Sequence, residues 1–256
     1  MTGELNKKKL SVIMPALNEE LNISDAISST LDAFDSFKID GEIIVVNDGS
    51  FDRTQEFIEQ KRKKNSDKIR VIRHEKPMGL GISFWEGVEY AKGNIVVMLP
   101  GDNENDPNET LRYYRLLEHV DIVIPFIFNR EVRPIFRNIL SLIYRVIINT
   151  TFLVNFNYTN GTVLYRKSIL DGIDHKSSGF FFQTDILIRA VKTGYLFAEV
   201  PYKLRKRIGG VSKAVTFPSL IQVIKGYLKL VKDYYSKKDK KQTGNFSSDS
   251  LTAIRR

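Results

Sequence analysis

The first 125 residues alternate between short apolar runs and helical patterns, and this alternation limits the folds open to the chain. Runs rich in Val and Ile occupy residues 10–14, 42–46, 69–72, 94–99 and 121–124. Helix start signals lie between them: Asp52 precedes "RTQEFIEQKRKK", and Pro107 stands in a first turn with Glu109 nearby. Strands that alternate with helices build βαβ units, so the pattern predicts an α/β fold with a mostly parallel sheet covered on both faces.

Polar loops follow three of the predicted strands. "PALNEE" follows the first, "NDGSFDRT" the second and "PGDNENDP" the fourth. Ligands of an open parallel sheet bind outside the carboxyl ends of its strands, so these loops predict a binding site at one sheet edge. Asp102 and Glu104 are two residues apart, and in an extended loop both side chains would point toward one ion. The sequence therefore predicts Mg²⁺ or Mn²⁺ at this edge, holding a diphosphate.

The basic residues concentrate near the end of the chain. Residues 203–256 carry a net charge of +11 and residues 1–202 a net −2, within the total of +9. This asymmetry favours an anionic partner, and charge alone fits both lipid headgroups and nucleic acid. A nucleic-acid module is disfavoured because the basic segment has few interleaved aromatic residues and no recognition motif. The absence of cysteine excludes disulfides and thiolate metal sites.

Two further segments have apolar helical patterns. Residues 134–154 are strongly apolar, but Arg137 and Arg145 leave no clean run of about 18 apolar residues for a spanning helix. This segment is either a buried helix or a helix lying in a membrane interface. Residues 217–235 place their apolar and aromatic side chains on one helical stripe, which packing onto the body and membrane docking explain equally well. From residue 236 the chain is polar and predicted to be disordered.

Several segments occur in an order that adds to this interpretation. They are "SVIMPALNEE", "EIIVVNDGSFDRT", "EKPMGLGISFWEGVEYAKGN", "LPGDNENDP", "GTVLYRKSIL", "FFFQTDILIRAVKTGYLFAEVP" and "RIGGVSK". Together they resemble the inverting glycosyltransferases of family two, which have the GT-A fold, and most closely the branch of dolichol-phosphate mannose synthases and bacterial polyprenyl-phosphate glycosyltransferases. The resemblance divides the chain into an N-terminal segment (1–9), a GT-A domain (10–213), an amphipathic helix (214–235) and a disordered basic tail (236–256).

The resemblance also implies roles for individual residues. The nucleotide-sugar would be bound by Pro15, Asn18, Glu19, Asp48, Ser50, Gly79, Leu80, Gly81 and Asp102. Asp102 and Glu104 would bind the metal, and Gln183 and Asp185 would face the sugar or acceptor. The acceptor phosphate would be held by Arg137, Arg207, Ser212 and Lys213, and the catalytic residues would be Asp102, Asp185 and Arg207.

The chain departs from the family pattern at four of these motif positions. Asn47 and Pro100 stand where the family has the first Asp of DDGS and of DxD, and Asp185 stands in place of a Glu. Glu104 replaces a neutral Gln, so it can restore the charge lost at Pro100.

The implied activity is metal-assisted, inverting transfer of a sugar from a nucleotide-diphosphate sugar to a polyprenyl (dolichyl or undecaprenyl) phosphate. A lipid phosphate is already an adequate nucleophile, whereas a hydroxyl acceptor would need a carboxylate base, for which Asp185 is the candidate. The alternatives are a soluble family-two transferase acting on a glycan hydroxyl in polysaccharide or O-antigen synthesis, and a non-catalytic nucleotide-sugar-binding protein. The expected location is the cytoplasmic face of a membrane, with peripheral attachment through the basic C-terminal region.

Overall fold

The structure is a computed structural model that describes residues 9–205, 217–236 and 246–255. Its strands are β1 (Leu10–Ala16), β2 (Gly41–Asn47), β3 (Ile69–Arg73), β4 (Ile95–Met98), β5 (Ile122–Ile127), β6 (Leu164–Arg166) and β7 (Phe197–Tyr202). Its helices are α1 (Ile23–Phe37), α2 (Thr54–Lys64), α3 (Leu80–Tyr90), α4 (Pro107–Leu111), α5 (Ile135–Phe152), α6 (Lys167–Asp171), α7 (Phe182–Thr193), α8 (Phe217–Tyr235) and α9 (Leu251–Ile254). The five strands predicted from the apolar runs are all present.

One seven-stranded sheet organises the described residues, with strand order β3-β2-β1-β4-β6-β5-β7. Every paired neighbour is parallel except at β6, which runs antiparallel to β4 and to β5. The carboxyl ends of β1, β2, β4, β5 and β7 therefore meet at one edge. The predicted α/β fold with a mostly parallel sheet is confirmed.

Two apolar layers cover the sheet, as the buried β-branched strands require. Helices α1, α2 and α4 pack on one face, around residues such as Ile27, Phe34 and Ile58. Helices α3, α5, α6, α7 and α8 pack on the other face, where Phe84 and Phe182 contribute to the core. The sheet is thus held rigidly from both sides, and its carboxyl edge can present loops in fixed positions.

Residues 246–255 differ from the predicted disordered tail. They include α9, which lies against the body because Asp121 accepts hydrogen bonds from the backbone N–H of Leu251 (2.6 Å) and of Thr252 (3.1 Å). Asp121 is itself fully buried and paired with Arg166 at 3.0 Å. The prediction of disorder is wrong for these residues, because a buried carboxylate more than a hundred positions earlier in the chain caps a helix of only four residues.

The two apolar segments form α5 and α8. Within the described ranges, neither they nor any other helix combine the length and the apolar character needed to cross a membrane. Packing of α8 onto the body is confirmed for part of the helix, and membrane docking stays a prediction. Tyr227, Val231 and Tyr234 pack against the core, whereas Leu228 is 59% exposed.

Candidate active site

The loops that follow β1 and β2 hold each other through hydrogen bonds. The backbone N–H of Asn18 donates to Ser50 Oγ (3.0 Å), and the N–H of Phe51 donates to Asn18 Oδ1 (3.1 Å). The N–H of Glu19 donates to Thr54 Oγ1 (2.8 Å). Asn18 adopts a left-handed φ of 57°, which asparagine tolerates better than most residues. The structure thus brings together Asn18, Glu19 and Ser50, three of the residues expected to bind the nucleotide.

Asn47, at the end of β2, shows why an amide suits the position where the family has an Asp. Its Oδ1 accepts from the N–H of Ser50 (3.0 Å), and its Nδ2 donates to Gln55 Oε1 (2.6 Å). A carboxylate could accept the first bond but could not donate the second. The neighbouring strand β1 is bonded to the loop after β4, because the carbonyl of Pro15 accepts from the N–H of Gly101 (2.9 Å).

Asp48 is a buried hub for the loop that precedes α3. Its Oδ1 accepts from the N–H of Met78 (2.6 Å) and lies 2.7 Å from His74 Nδ1, and its Oδ2 accepts from the N–H of Gly79 (2.9 Å). His74 Nε2 lies 2.6 Å from Glu86 Oε2. Burial by itself would lower the pKa of His74, but hydrogen bonds to Asp48 and Glu86 outweigh it and raise that pKa. Asp48 therefore fixes residues 74–79, and a direct contact with the nucleotide stays a prediction.

The glycines at the start of α3 have packing reasons of their own. Gly79 has φ 102°, a conformation that side chains rarely adopt. A Cβ at Gly81 would lie 2.5 Å from the carbonyl oxygen of Ser178, so the α3 backbone approaches residues 177–178 closely. Leu80 is the first residue of α3. The predicted close approach of this backbone to a nucleotide is additional to these contacts and stays a prediction.

The loop after β4 is a turn rather than the extended segment expected from sequence. Asn103 has a left-handed φ of 56°, and Asp102 Oδ1 accepts from the backbone N–H of Glu104 (3.1 Å). The side chains of Asp102 and Glu104 are therefore arranged by this turn and not by strand alternation. The expectation of an extended loop was wrong because the left-handed residue reverses the chain between them.

The two carboxylates provide the hard oxygen ligands that Mg²⁺ and Mn²⁺ prefer. In the part of the chain that the structure describes, no group of three or more His, Cys, Asp or Glu side chains is arranged to hold a metal ion. Mg²⁺ is commonly held by one or two carboxylates together with substrate phosphates and water. The chemistry of Asp102 and Glu104 fits a cation of that kind, and their role as its ligands stays a prediction.

Gln183 and Asp185, on α7, have protein partners. Gln183 Nε2 donates to the carbonyl of Gly161 (2.7 Å). Asp185 Oδ1 accepts from Arg189 Nε (2.8 Å), and Arg189 Nη2 bonds Asp233 of α8 (2.8 Å). Burial raises the pKa of Asp185, and the charge of Arg189 opposes that rise. Asp185 thus belongs to an ion-pair chain that joins α7 to α8.

Arginines line a cavity beside the end of β5. Arg130, Arg133 and Arg145 face it together with Asn138, Ser141 and Tyr158. Both terminal nitrogens of Arg133 lie 3.3 Å from the hydroxyl of Tyr158. The buried Nε of Arg133 has no hydrogen-bond partner among the residues that the structure describes. Such a cavity offers several N–H donors to an anion.

None of these three arginines is among the residues expected from the sequence to hold the acceptor phosphate. Arg137, which was expected to do so, lies half-buried on α5 and is not among the residues that line the cavity. The clustering of basic residues in "NREVRPIFR" could have pointed to the loop before α5. Arg207, Ser212 and Lys213 lie outside the described residues, so their predicted roles are untested.

Tyr202 connects the arginine cavity to the turn that carries Asp102 and Glu104. It packs with Ile127 and Tyr158, both of which line the cavity. Its hydroxyl donates to Asn105 Oδ1 (3.3 Å). Burial raises the pKa of Tyr202, and the charges of Glu104 and Asp102 add to that rise. The arginines and the carboxylates are therefore neighbours at the same sheet edge.

An apolar surface borders the cavity along α5. Its solvent-facing residues include Ile135 (78% exposed), Phe136 (67%), Ile139 (50%) and Ile143 (51%). Helix α8 lies beside it, tied by a 2.8 Å contact between the hydroxyls of Thr151 and Tyr227. Helix α8 has exposed apolar side chains of its own, which include Leu220, Ile224 and Leu228. We call this the α5–α8 apolar face.

These features together define an α/β protein with interlocked polar loops at the carboxyl edge of its sheet and an arginine-lined cavity near that edge. The sequence model of Glycosyl transferase family 2 matches residues 11–174. The chain belongs to this family and is a glycosyltransferase.

A curated relative has a more specific name. The chain is 27% identical over 205 residues to the undecaprenyl-phosphate 4-deoxy-4-formamido-L-arabinose transferase of Edwardsiella ictaluri (strain 93-146). The match covers 80% of this chain and 62% of that relative, so the chain spans under two thirds of the relative's length.

Solved structures confirm the GT-A fold. Glucosyl-3-phosphoglycerate synthase from Mycobacterium tuberculosis, in complex with Mn²⁺, UDP and phosphoglyceric acid, matches with a TM-score of 0.65 at 21% identity. That match covers 88% of this chain and 79% of the synthase. A complex of the same synthase with Mg²⁺ and UDP matches with a TM-score of 0.66 at 19% identity, over 88% of this chain and 80% of the synthase.

Proposed function

We propose that this glycosyltransferase moves a sugar from a nucleotide-diphosphate sugar to the phosphate of a polyprenyl lipid, at a membrane surface and with Mg²⁺ or Mn²⁺. The observation that carries the proposal is the position of the arginine cavity. It lies between the turn of Asp102 and Glu104 and the α5–α8 apolar face. A lipid with one anionic headgroup and a long apolar tail matches this spatial arrangement of a basic cavity next to an apolar face.

The donor side of the proposal rests on the interlocked loops. Asn18, Glu19 and Ser50 are fixed next to one another at the carboxyl edge, where open sheets of this type bind nucleotides. The structurally similar synthase was solved with UDP and Mn²⁺. We infer that a nucleoside diphosphate occupies the corresponding crevice here, with its diphosphate directed toward Asp102 and Glu104.

The acceptor side rests on charge and on the named relative. Arg130, Arg133 and Arg145 supply the planar donor groups that recognise phosphate. The relative from Edwardsiella ictaluri is named for undecaprenyl phosphate. A lipid phosphate in this cavity would leave its chain lying along Ile139 and Ile143 of α5.

The chemistry follows from these positions. A phosphate oxygen of the acceptor attacks the anomeric carbon of the donor sugar, and the bond from that carbon to the nucleoside diphosphate breaks. The bound divalent cation would offset the negative charge that grows on the departing diphosphate. Because the attacking phosphate is already an anion, no side chain has to remove a proton. Single displacement inverts the anomeric configuration.

A transfer assay tests the function. Purified protein is given radiolabelled UDP- or GDP-sugars with Mn²⁺, and the acceptors are a polyprenyl phosphate, a soluble phosphorylated acceptor and a glycan without phosphate. We expect label in the polyprenyl phosphate. Label only in the glycan or only in the soluble phosphate would overturn the proposed acceptor.

Arginine variants locate the acceptor site. Arg133→Met is expected to raise the KM for the lipid phosphate about tenfold, because it removes charged donors to the phosphate, and to leave the donor KM unchanged. Arg62→Met is the matched control, since Arg62 lies on α2 and pairs with Glu59. An unchanged KM for lipid in Arg133→Met would contradict the placement of the acceptor.

Transfer to a glycan hydroxyl remains the competing activity because the pKa of Asp185 is raised, as a base would need. Asp185 is, however, engaged by Arg189 at 2.8 Å. Asp185→Asn separates the two activities. It should abolish a base-dependent transfer to a hydroxyl, whereas transfer to a lipid phosphate should persist.

A further inference from the structure

The turn of residues 102–106 is anchored at its two ends by the sheet and by α4. At its start, the N–H of Gly101 donates to the carbonyl of Pro15 (2.9 Å). At its end, Asp106 Oδ1 accepts from the N–H of Asn108 (2.9 Å) and caps α4. Between these anchors, Asn103 holds a left-handed φ of 56°, which is uncommon outside glycine. The middle of the turn therefore depends on contacts from elsewhere in the chain.

The residues that follow β7 supply those contacts. Leu204 forms an isolated antiparallel bridge with Asn105. The backbone N–H of Arg205 donates to the carbonyl of Glu104 (3.0 Å). The turn is thus held by a segment about 100 positions later in the sequence.

The side chain of Arg205 bonds the residues that lie before and after Glu104 in the turn. Its Nη2 lies 2.7 Å from Asp106 Oδ2, and its Nε donates to the same oxygen (3.1 Å). Its Nη1 donates to Asn103 Oδ1 (3.4 Å). A planar guanidinium can make this set of bonds at fixed angles, and the single ammonium of a lysine cannot.

These bonds give Asp106 a role different from that of the other two carboxylates. One of its oxygens caps α4 and the other is held by Arg205. Asp106 is thereby committed to shaping the turn, and the turn presents Asp102 and Glu104.

We propose that Arg205 is a positioning residue for the divalent cation. It fixes the turn in the shape that presents the carboxylates of Asp102 and Glu104, and the inference rests on the proposed metal-assisted transfer. Arg205 acts through the turn and needs no contact with the cation or the sugar.

The charge of Arg205 and its proposed positioning role predict opposite effects on cation binding when the residue is removed. Arg205 brings a positive charge near the carboxylates, so its removal would strengthen cation binding if charge were its only effect. If it positions the turn, its removal weakens cation binding. The sign of the change therefore decides between the two effects.

The test is a Mn²⁺ titration in the presence of UDP or GDP, with unbound Mn²⁺ measured by electron paramagnetic resonance. Arg205→Met and Arg205→Lys are each expected to weaken Mn²⁺ binding about tenfold or more, as losing a partner of metal ligands commonly does. The lysine variant keeps the positive charge but loses the planar guanidinium, which bonds Asp106 and Asn103 together. Arg62→Lys is the matched control, because Arg62 pairs with Glu59 on α2, away from the turn.

Amide hydrogen exchange provides a second readout. The N–H of Glu104, which donates to Asp102, is expected to exchange faster in both Arg205 variants, while the thermal midpoint of unfolding changes little because Arg205 is 39% exposed.

Tighter or unchanged Mn²⁺ binding in Arg205→Met would overturn the inference, as would a wild-type protein that binds no Mn²⁺ with either nucleotide. A wild-type protein that binds Mn²⁺ and nucleotide but transfers no sugar to lipid would overturn the proposed function and leave the role of Arg205 intact.

Discussion

The donor side and the acceptor side of this sheet edge satisfy their polar groups in different ways. On the donor side, loop residues such as Asn18, Asp48 and Ser50 bond one another or the backbone. On the acceptor side, the buried Nε of Arg133 has no partner within the described residues, and α5 turns Ile139 and Ile143 toward solvent. The proposed donor side thus satisfies these polar groups within the protein, whereas the proposed acceptor side offers a charged group and apolar side chains that would match an anionic amphiphile. Each prediction below perturbs one side and uses the other as its reference.

The largest effect is expected from Asp48→Ala. The change removes the acceptor for the N–H groups of Met78 and Gly79 and for His74, so the free energy of unfolding should fall by about 3 kcal/mol. Urea unfolding measures this. Glu86→Ala is the control, because Glu86 contacts the outer nitrogen of His74 and its side chain is 33% exposed, so a loss within about 1 kcal/mol is expected. Equal losses in the two variants would show that Asp48 is not the hub.

The second effect concerns the α5–α8 apolar face. The double variant Ile139→Asp, Ile143→Asp should weaken binding to anionic vesicles at least about tenfold, because two aliphatic side chains no longer enter the lipid. Both residues are about half exposed (50% and 51%), so the fold should tolerate the change. Phe51→Asp, at a donor-side residue that is 89% exposed, is the matched control and should bind vesicles as the wild type does. Vesicle flotation measures the difference, and loss of binding in the control alone would place the membrane on the wrong side.

A smaller effect is the pH dependence contributed by His74. Because its pKa is raised above 6.5 in the folded protein, its stabilising contribution is fully present below that value and is lost as pH rises through the folded-state pKa. Unfolding free energies measured from about pH 5 to about pH 8 should therefore include a decline that His74→Gln removes. The same pH slope in wild type and variant would mean that His74 does not contribute.

The smallest effect is expected from Asn47→Asp, which restores the residue of the family pattern. The carboxylate cannot donate to Gln55, so a loss of about 1 kcal/mol is expected by urea unfolding. In a Gln55→Met background the same change should cost less, because the acceptor is already missing. Purely additive losses would show that the amide at position 47 does not depend on Gln55.

The fold could be predicted because its information is local. The β-branched runs and the turn-formers after them are short, continuous signals, and they gave the strands and the polar loops at the carboxyl edge. The shape of the turn around Glu104 could not be predicted in the same way. It depends on the left-handed Asn103 and on contacts from Leu204 and Arg205, about 100 positions away.

The arginine-lined cavity could not be predicted from the sequence for a related reason. Helix periodicity indicated that α5 is amphipathic, but only packing determines which arginines reach the cavity, and Arg133 is held there by Tyr158 from a separate loop. The docking of residues 246–255 also depends on a distant side chain, Asp121. Sequence patterns indicate the secondary structure that a segment prefers. They do not indicate which side chain from a distant part of the chain contacts that segment.

The reversed direction of β6 has a consequence for how this enzyme could be altered. The chain leaves β5 after Ile127 and re-enters the sheet at Leu164 of the neighbouring β6, so one uninterrupted stretch contains α5, Arg133, Arg145 and Tyr158. That stretch is a cassette with adjacent entry and exit points. Under the proposed function, we expect that exchanging this stretch for the equivalent stretch of another transferase changes the acceptor preference and leaves the loops that follow β1 and β2 unchanged.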